Sequence, residues 1–176
     1  VPGDDSASAG VVHAERRVRA HALSPQLLRP TAQLLLQCGV SGPLLRIPAS
    51  GGEAVAVTKL GDREISHRWP QILADGKQFL FYVVAPTQEL KGIYLGSVDG
   101  RSPIRVTAAD VYGTYTPSGQ LLWVRGDTLV TQHLDLRRRA LVGASMAVAG
   151  PIIPTEFGGG LSVSASGLIA YRLAAA

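Results

Sequence analysis

The feature that most limits what this chain can become is a strand–turn–strand unit that recurs at nearly constant spacing. LLRIPASGGEAVAVT (44–58) lies over IYLGSVDGRSPIRVT (93–107) at an offset of 49 residues. Gly51 then meets Gly100, Val55 meets Ile104, Val57 meets Val106 and Thr58 meets Thr107. Each segment reads as a strand, a tight glycine turn that includes Asp99-Gly100 in the second copy, and a strand of alternating apolar residues. A second kind of unit appears in PQILADGKQFLFYV, GTYTPSGQLLWVR and GLSVSASGLIAYR. Its turns end in Asp75-Gly76, Ser118-Gly119 and Ser166-Gly167, with glycines 43 and 48 residues apart. Asp-Gly between apolar runs is a strong hairpin signal, and the expected turn has positive φ at its central residues. The strands that follow, Phe79 to Val84 and Leu121 to Val124, are apolar at consecutive positions. Such strands are buried on both faces.

The two units alternate along the chain, giving four strands every 43 to 48 residues with doubly buried inner strands. That pattern predicts an all-β chain forming a partial β-propeller of about three four-stranded antiparallel blades. The expected map is a blade tail at 44–58, full blades at 67–107 and 112–150, and the start of another at 160–176. No blade buries its own core, and closed propellers need at least about four. The chain is therefore expected to require further blades from a longer parent protein, since bare blade faces and open edges invite aggregation.

Residues 1–42 break the pattern, with no aromatic residue and much Ala, Leu, Arg and Gln. They read as an irregular or helical leader interrupted at Pro25 and Pro30. Translation out of frame is a second reading. Pro30-Thr31-Ala32-Gln33 requires CCN-ACN-GCN-CAR, and the same bases read one nucleotide earlier can encode Pro-Asp-Gly-Thr, the turn a blade needs there. The chain opens Val1-Pro2-Gly3-Asp4-Asp5, without a starting Met, a basic n-region or an apolar h-region. A fragment or processed product with no signal peptide of its own is the expectation.

Composition narrows the functional classes. Charged residues are 17% of the chain, too few for a long solvated helix or coiled coil. The net charge of +4 has its densest spot at Arg137-Arg138-Arg139, which reads as a solvated turn rather than a nucleic-acid surface. The single cysteine, Cys38, excludes an internal disulfide framework and any cysteine-based zinc site. No apolar run approaches the roughly 18 residues of a membrane span.

The candidates for chemistry are sparse. His67 and Asp75 lie eight residues apart, more than about 20 Å along an extended strand, so they do not act together. His133 and Asp135 share a strand face as half a metal site without a third ligand. GxSxG, P-loop, GxGxxG and kinase signatures are all missing, and Gly158-Gly159-Gly160 reads as a turn. No catalytic, cofactor-binding or metal residue is assigned. Asp75, Gly76, Asp99, Gly100, Ser118, Gly119, Ser166 and Gly167 are expected to be structural turns. His67, preceding the innermost strand of its blade, is the one residue expected to face a loop surface where a ligand binds.

The strings HRWPQILADGKQFLFYV, KGIYLGSVDG and GGLSVSASGLIAYR resemble the TolB-like, WD-repeat-like propellers at the C-terminus of bacterial serine/threonine protein kinases. The resemblance runs from about Ser41 to Arg172, and the run from Trp69 to Phe81 is its most specific part. It implies a non-catalytic binding or sensory module outside the cytoplasm, with the kinase domain and a membrane span elsewhere in the parent protein. Two other readings stay open: the propeller of a prolyl-oligopeptidase-type hydrolase, and a TolB-like periplasmic scaffold. The coding DNA tests the reading-frame idea. A neighbouring frame across codons 25–40 is expected to encode a strand, Pro-Asp-Gly and a second strand, and its absence there would end the idea.

Overall fold

The computed structural model describes residues 33–37, 40–152 and 161–174. Among them there is no helix, and the strands form four antiparallel sheets in chain order. The first sheet holds β1 (Gln33–Gln37), β2 (Leu44–Pro48) and β3 (Val55–Ala56). The second is a meander of β4 (Ser66–Ile72), β5 (Gln78–Val84), β6 (Gly92–Ser97) and β7 (Ile104–Thr107). The third repeats it with β8 (Thr114–Tyr115), β9 (Gln120–Arg125), β10 (Thr128–Asp135) and β11 (Ala140–Ala149). β12 (Leu161–Val163) and β13 (Ile169–Tyr171) form the fourth.

One turn closes hairpins in all four sheets. In each, the N–H of a glycine donates to the carbonyl three residues earlier: Gly51 to Pro48, Gly76 to Leu73, Gly100 to Ser97, Gly119 to Thr116 and Gly167 to Ser164, at 2.9–3.2 Å. These glycines have φ between +63° and +88°, whereas the two residues before each keep negative φ. The sequence pattern predicts positive φ at both central residues. The structure corrects this: Asp75, Asp99, Ser118 and Ser166 sit in the right-handed half of the turn, and only the glycine behind each is left-handed. Between Thr116 and Gln120 and between Ser164 and Leu168 this makes the usual three-residue hairpin connection, and between Leu73 and Gln78 a connection one residue longer. Side chains complete it. Asp75 Oδ1 accepts from the N–H groups of Lys77 and Gln78, Thr116 Oγ1 from Gln120 and Ser164 Oγ from Leu168. Although partial burial pushes the Asp75 carboxyl upward, those N–H donors hold it below the ordinary aspartate value.

Residues 33–37 correct a second expectation, which assigned them to the irregular or helical leader. They pair in full register with β2, Gln33 opposite Pro48 through Gln37 opposite Leu44. Leu35 packs against Leu44, Phe79 and Phe81, so tertiary burial overrides the helical bias of a Leu- and Gln-rich segment. β1 holds in the first sheet the place that β5 and β9 hold in theirs. The leader residues through 32, and Cys38 and Gly158 to Gly160, lie outside the described residues.

The consecutive apolar runs are buried as their pattern requires. Phe79 to Val83 in β5 and Leu121 to Val124 in β9 are all at most 4% exposed. Alternation sorts them by face. Phe79, Phe81 and Val83 meet Leu44 of the first sheet, while Leu80 and Tyr82 turn the other way toward Leu121 and Trp123. Leu122 and Val124 then join Leu161 of the fourth sheet. The sheets thus stack face to face in sequence order. Gly113, directly before β8, marks how tight a stack this is, since a Cβ there would lie 2.6 Å from Ile93 Cδ1 of the second sheet.

Replacing Trp123 with Ala is expected to cost about 3–5 kcal/mol by leaving a cavity between the second and third sheets. Gly100→Ala, whose Cβ meets open space, should cost only about 1 kcal/mol of backbone strain. Urea denaturation of both variants checks the account. Equal losses would contradict it.

Candidate functional site

The residue marked for attention by sequence alone, His67, does not face a loop surface. Its side chain is 2% exposed, and its ring packs against Phe81 with centroids 4.8 Å apart. Burial requires both ring nitrogens to have partners, and they do. Nδ1 is 2.8 Å from Thr58 Oγ1, and Nε2 is 2.9 Å from Glu64 Oε2. Glu64 Oε2 also accepts from the Gly61 N–H at 2.7 Å, closing the turn before β4. Thr58 Oγ1 accepts from the Leu44 N–H at 2.9 Å.

Hydrogen-bond satisfaction assigns the protonation state. Because Thr58 Oγ1 already accepts from Leu44, its single hydroxyl proton is free to go to His67 Nδ1. That leaves the imidazole neutral with its proton on Nε2, donated to Glu64. Both ring nitrogens and the Thr58 hydroxyl are then satisfied. A second ring proton on Nδ1 would turn Thr58 into a double acceptor and strand its own hydroxyl proton in the interior. Burial accordingly lowers the His67 pKa from its ordinary 6.5, and the opposing pull of the Glu64 hydrogen bond and charge is smaller.

Hydroxyl, imidazole and carboxylate in one line are the parts of a nucleophilic relay. Here the hydroxyl is sealed: Thr58 is 7% exposed, and its oxygen holds a backbone N–H of β2. The arrangement joins three pieces of chain, with the start of β2, the 58–64 connection and β4 meeting at one ring. The His67 N–H adds a fourth tie, to the Gly42 carbonyl at 2.9 Å. What these groups do together is hold the first sheet against the second.

A second cluster follows directly in β4. Trp69 has a left-handed φ of 51°, a conformation costing a bulky residue about 1–3 kcal/mol. It sits in a bulge, where pairing jumps from Arg68 opposite Tyr82 to Gln71 opposite Leu80. Pro70 has no N–H to offer the ladder, which is the local reason for the break. The Trp69 ring packs at 5.7 Å from Tyr82 and 5.2 Å from Tyr112, with the Arg68 guanidinium 5.8 Å above it. Tyr82 hydroxyl donates to the Asp110 carbonyl, and burial, assisted by the Asp110 charge, pushes its pKa up to about 12.

Successive sheets are tied through this region, β4 to the β1–β2 connection on one side and to β8 on the other. Arg68 donates to the Val40 carbonyl. Gln71 brackets Tyr115, its Nε2 donating to the carbonyl at 2.9 Å and its Oε1 accepting from the N–H at 2.7 Å. Tyr112 hydroxyl reaches the Leu161 carbonyl at 3.3 Å. No motif in the sequence marks Thr58 and Glu64 as partners of His67. The i,i+3 spacing of Glu64 and His67 is the one trace of it, and Thr58 becomes a neighbour only when the sheets stack.

Other sequence candidates are separated by the fold. Asp75 is engaged in its own turn, far along β4 and its connection from His67. Asp135 accepts from the N–H groups of Arg137 and Arg138, so the Arg run is a turn at the end of β10. Among the described residues no group of three or more His, Cys, Asp or Glu is placed to hold a metal ion. No described helix is long and apolar enough to cross a membrane. Comparison with protein-family models, curated proteins and solved structures gives no match.

Because the folded pKa of His67 lies below 6.5, the unfolded chain binds more protons as pH falls past that value. The cluster's stabilisation is therefore whole above about pH 6.5 and declines below it, until the folded ring also titrates, with a slope of at most about 1.4 kcal/mol per pH unit. Denaturation curves from pH 7.5 to 5 should show this decline. His67→Gln should be less stable at pH 7.5 and should flatten it, whereas an unchanged slope would remove His67 as its source.

Proposed function

We propose that the chain is a non-catalytic β-propeller region acting as a binding or sensory module of a bacterial serine/threonine kinase-linked protein. One observation carries this reading: consecutive antiparallel meanders stack face to face in chain order, with the leading strands β4 and β8 tied side by side. That is the way propeller blades follow one another around an axis. The repeat spacing and the Trp69-to-Phe81 run supply the link to the kinase-associated family. A ligand of such a module sits where connecting loops converge or along the central channel.

Further sheets complete the ring in this proposal. Ile169 and Tyr171 of β13 are 40% and 41% exposed at positions whose counterparts in β9, Leu121 and Trp123, are fully buried, and Leu168 and Leu173 beside them are exposed too. That apolar surface fits another sheet of the same kind.

The genomic neighbourhood of the reading frame tests the proposal. A kinase domain and a membrane-span segment encoded in frame upstream are the expected result. A downstream hydrolase domain with a GxSxG elbow would replace the proposal with the gated-hydrolase reading. A secretory signal sequence alone upstream would replace it with a periplasmic scaffold.

A further inference from the structure

A cleft of about 690 Å³ opens where the chain leaving β3 faces the β6–β7 turn. Its apolar surface comes from Pro43, Val57, Leu60 and Pro103, and its charged members are Lys59 and Arg101. No acidic side chain lines it. We propose that this cleft is a docking groove for an extended acidic segment of a partner protein, in which apolar side chains enter the cleft and flanking carboxylates meet Lys59 and Arg101. The inference goes beyond the module reading, because it assigns a particular site, the connection after β3 and the β6–β7 turn, and a partner chemistry that the module reading leaves unspecified.

Three properties of the cleft carry the proposal. The first is size, since a volume of this order accommodates two or three side chains. The second is preorganisation. Thr58, on one wall, is held by the Leu44 N–H and by the His67 ring, and Gly100, on the other, is held in its turn by the Ser97 carbonyl at 3.2 Å. Walls fixed in this way lose little entropy when a ligand binds.

The third property is charge. Lys59 is exposed and makes no ion pair among the described residues. Arg101 meets Asp99 through Nε at 3.0 Å, but both groups are more than half exposed, at 73% and 51%. An ion pair in that setting is weak and exchanges readily for another carboxylate. Extension suits the ligand because β3 is the outermost strand of its sheet and Val55 on it is half exposed, so a segment laid along the cleft runs beside an open edge.

The test is fluorescence anisotropy of the purified chain with two labelled probes, an alternating Glu-Leu heptapeptide and its Lys-Leu counterpart. The Glu-Leu probe should bind at least about tenfold more tightly, and its affinity should fall as salt rises. The double variant K59E/R101E should weaken it by about tenfold or more, while R137E/R138E, which removes the same charge at the β10–β11 turn, should change it less than about threefold. All four positions are solvent-facing, and matching thermal melts verify that both variants fold. Equal weakening by the two variants, equal binding of both probes or no binding of either overturns the docking groove. None of these results bears on the propeller reading, which stands or falls on the encoded neighbouring domains.

Discussion

Everything in this molecule depends on strands that are buried on both faces. A strand in a single open antiparallel sheet alternates apolar and polar residues, because one face meets water. β5 and β9 do not alternate, and each of their apolar side chains needs an apolar surface on its own side of the sheet. The second sheet therefore cannot exist without the first and third, and the third cannot exist without the second and fourth. At about 25 cal/mol per Å² of apolar area, a single buried Phe or Trp contributes a few kcal/mol, a large part of a domain's net stability. The polar ties across the stack contribute less in total energy than in register. Gln71 on Tyr115, and His67 with Thr58 and Glu64, fix which residues face which across each interface.

The hairpins were legible in the sequence because their determinants are local. Period-two alternation, a glycine at fixed offset and a consecutive apolar run are all properties of short windows, and each locates a strand or turn without knowledge of the rest. The turn type was less legible. Asp75-Gly76 reads as a two-residue turn with both residues left-handed. The hydrogen bond from Gly76 to Leu73 shows a longer connection with only the glycine left-handed. An Asp is compatible with either geometry, and what decides between them is the pairing distance of the flanking strands.

What stayed hidden was nonlocal. QLLLQ at 33–37 carries helical propensity, and only its pairing with β2 and the packing of Leu35 make it a strand. His67 resembles a loop-facing residue because it precedes an apolar strand, yet the connection before it folds back and supplies a hydroxyl and a carboxylate. A sequence window containing Glu64 and His67 shows one of these partners without indicating that the ring is buried. Trp69 is similar. Trp-Pro announces a break in pairing, but not that the indole adopts a left-handed backbone to fill the space between two sheets.

The same nonlocality makes stability uneven along the stack. In a linear array each unit is stabilised by its neighbours, so interior units carry two interfaces and terminal ones carry one. The burial pattern has that form. β5 and β9 are closed on both sides, whereas β13, at the equivalent position in the fourth sheet, is exposed throughout. Its Tyr171 corresponds to Trp123, since the hairpin turns before them place Leu168 opposite Ser164 as they place Gln120 opposite Thr116. One side chain is wholly buried and the other 41% exposed, although both follow the same turn. The difference lies in how many sheets surround them, not in the strands themselves. Burial in this architecture is therefore a property of a strand's place in the series, and the local sequence specifies only the capacity for it.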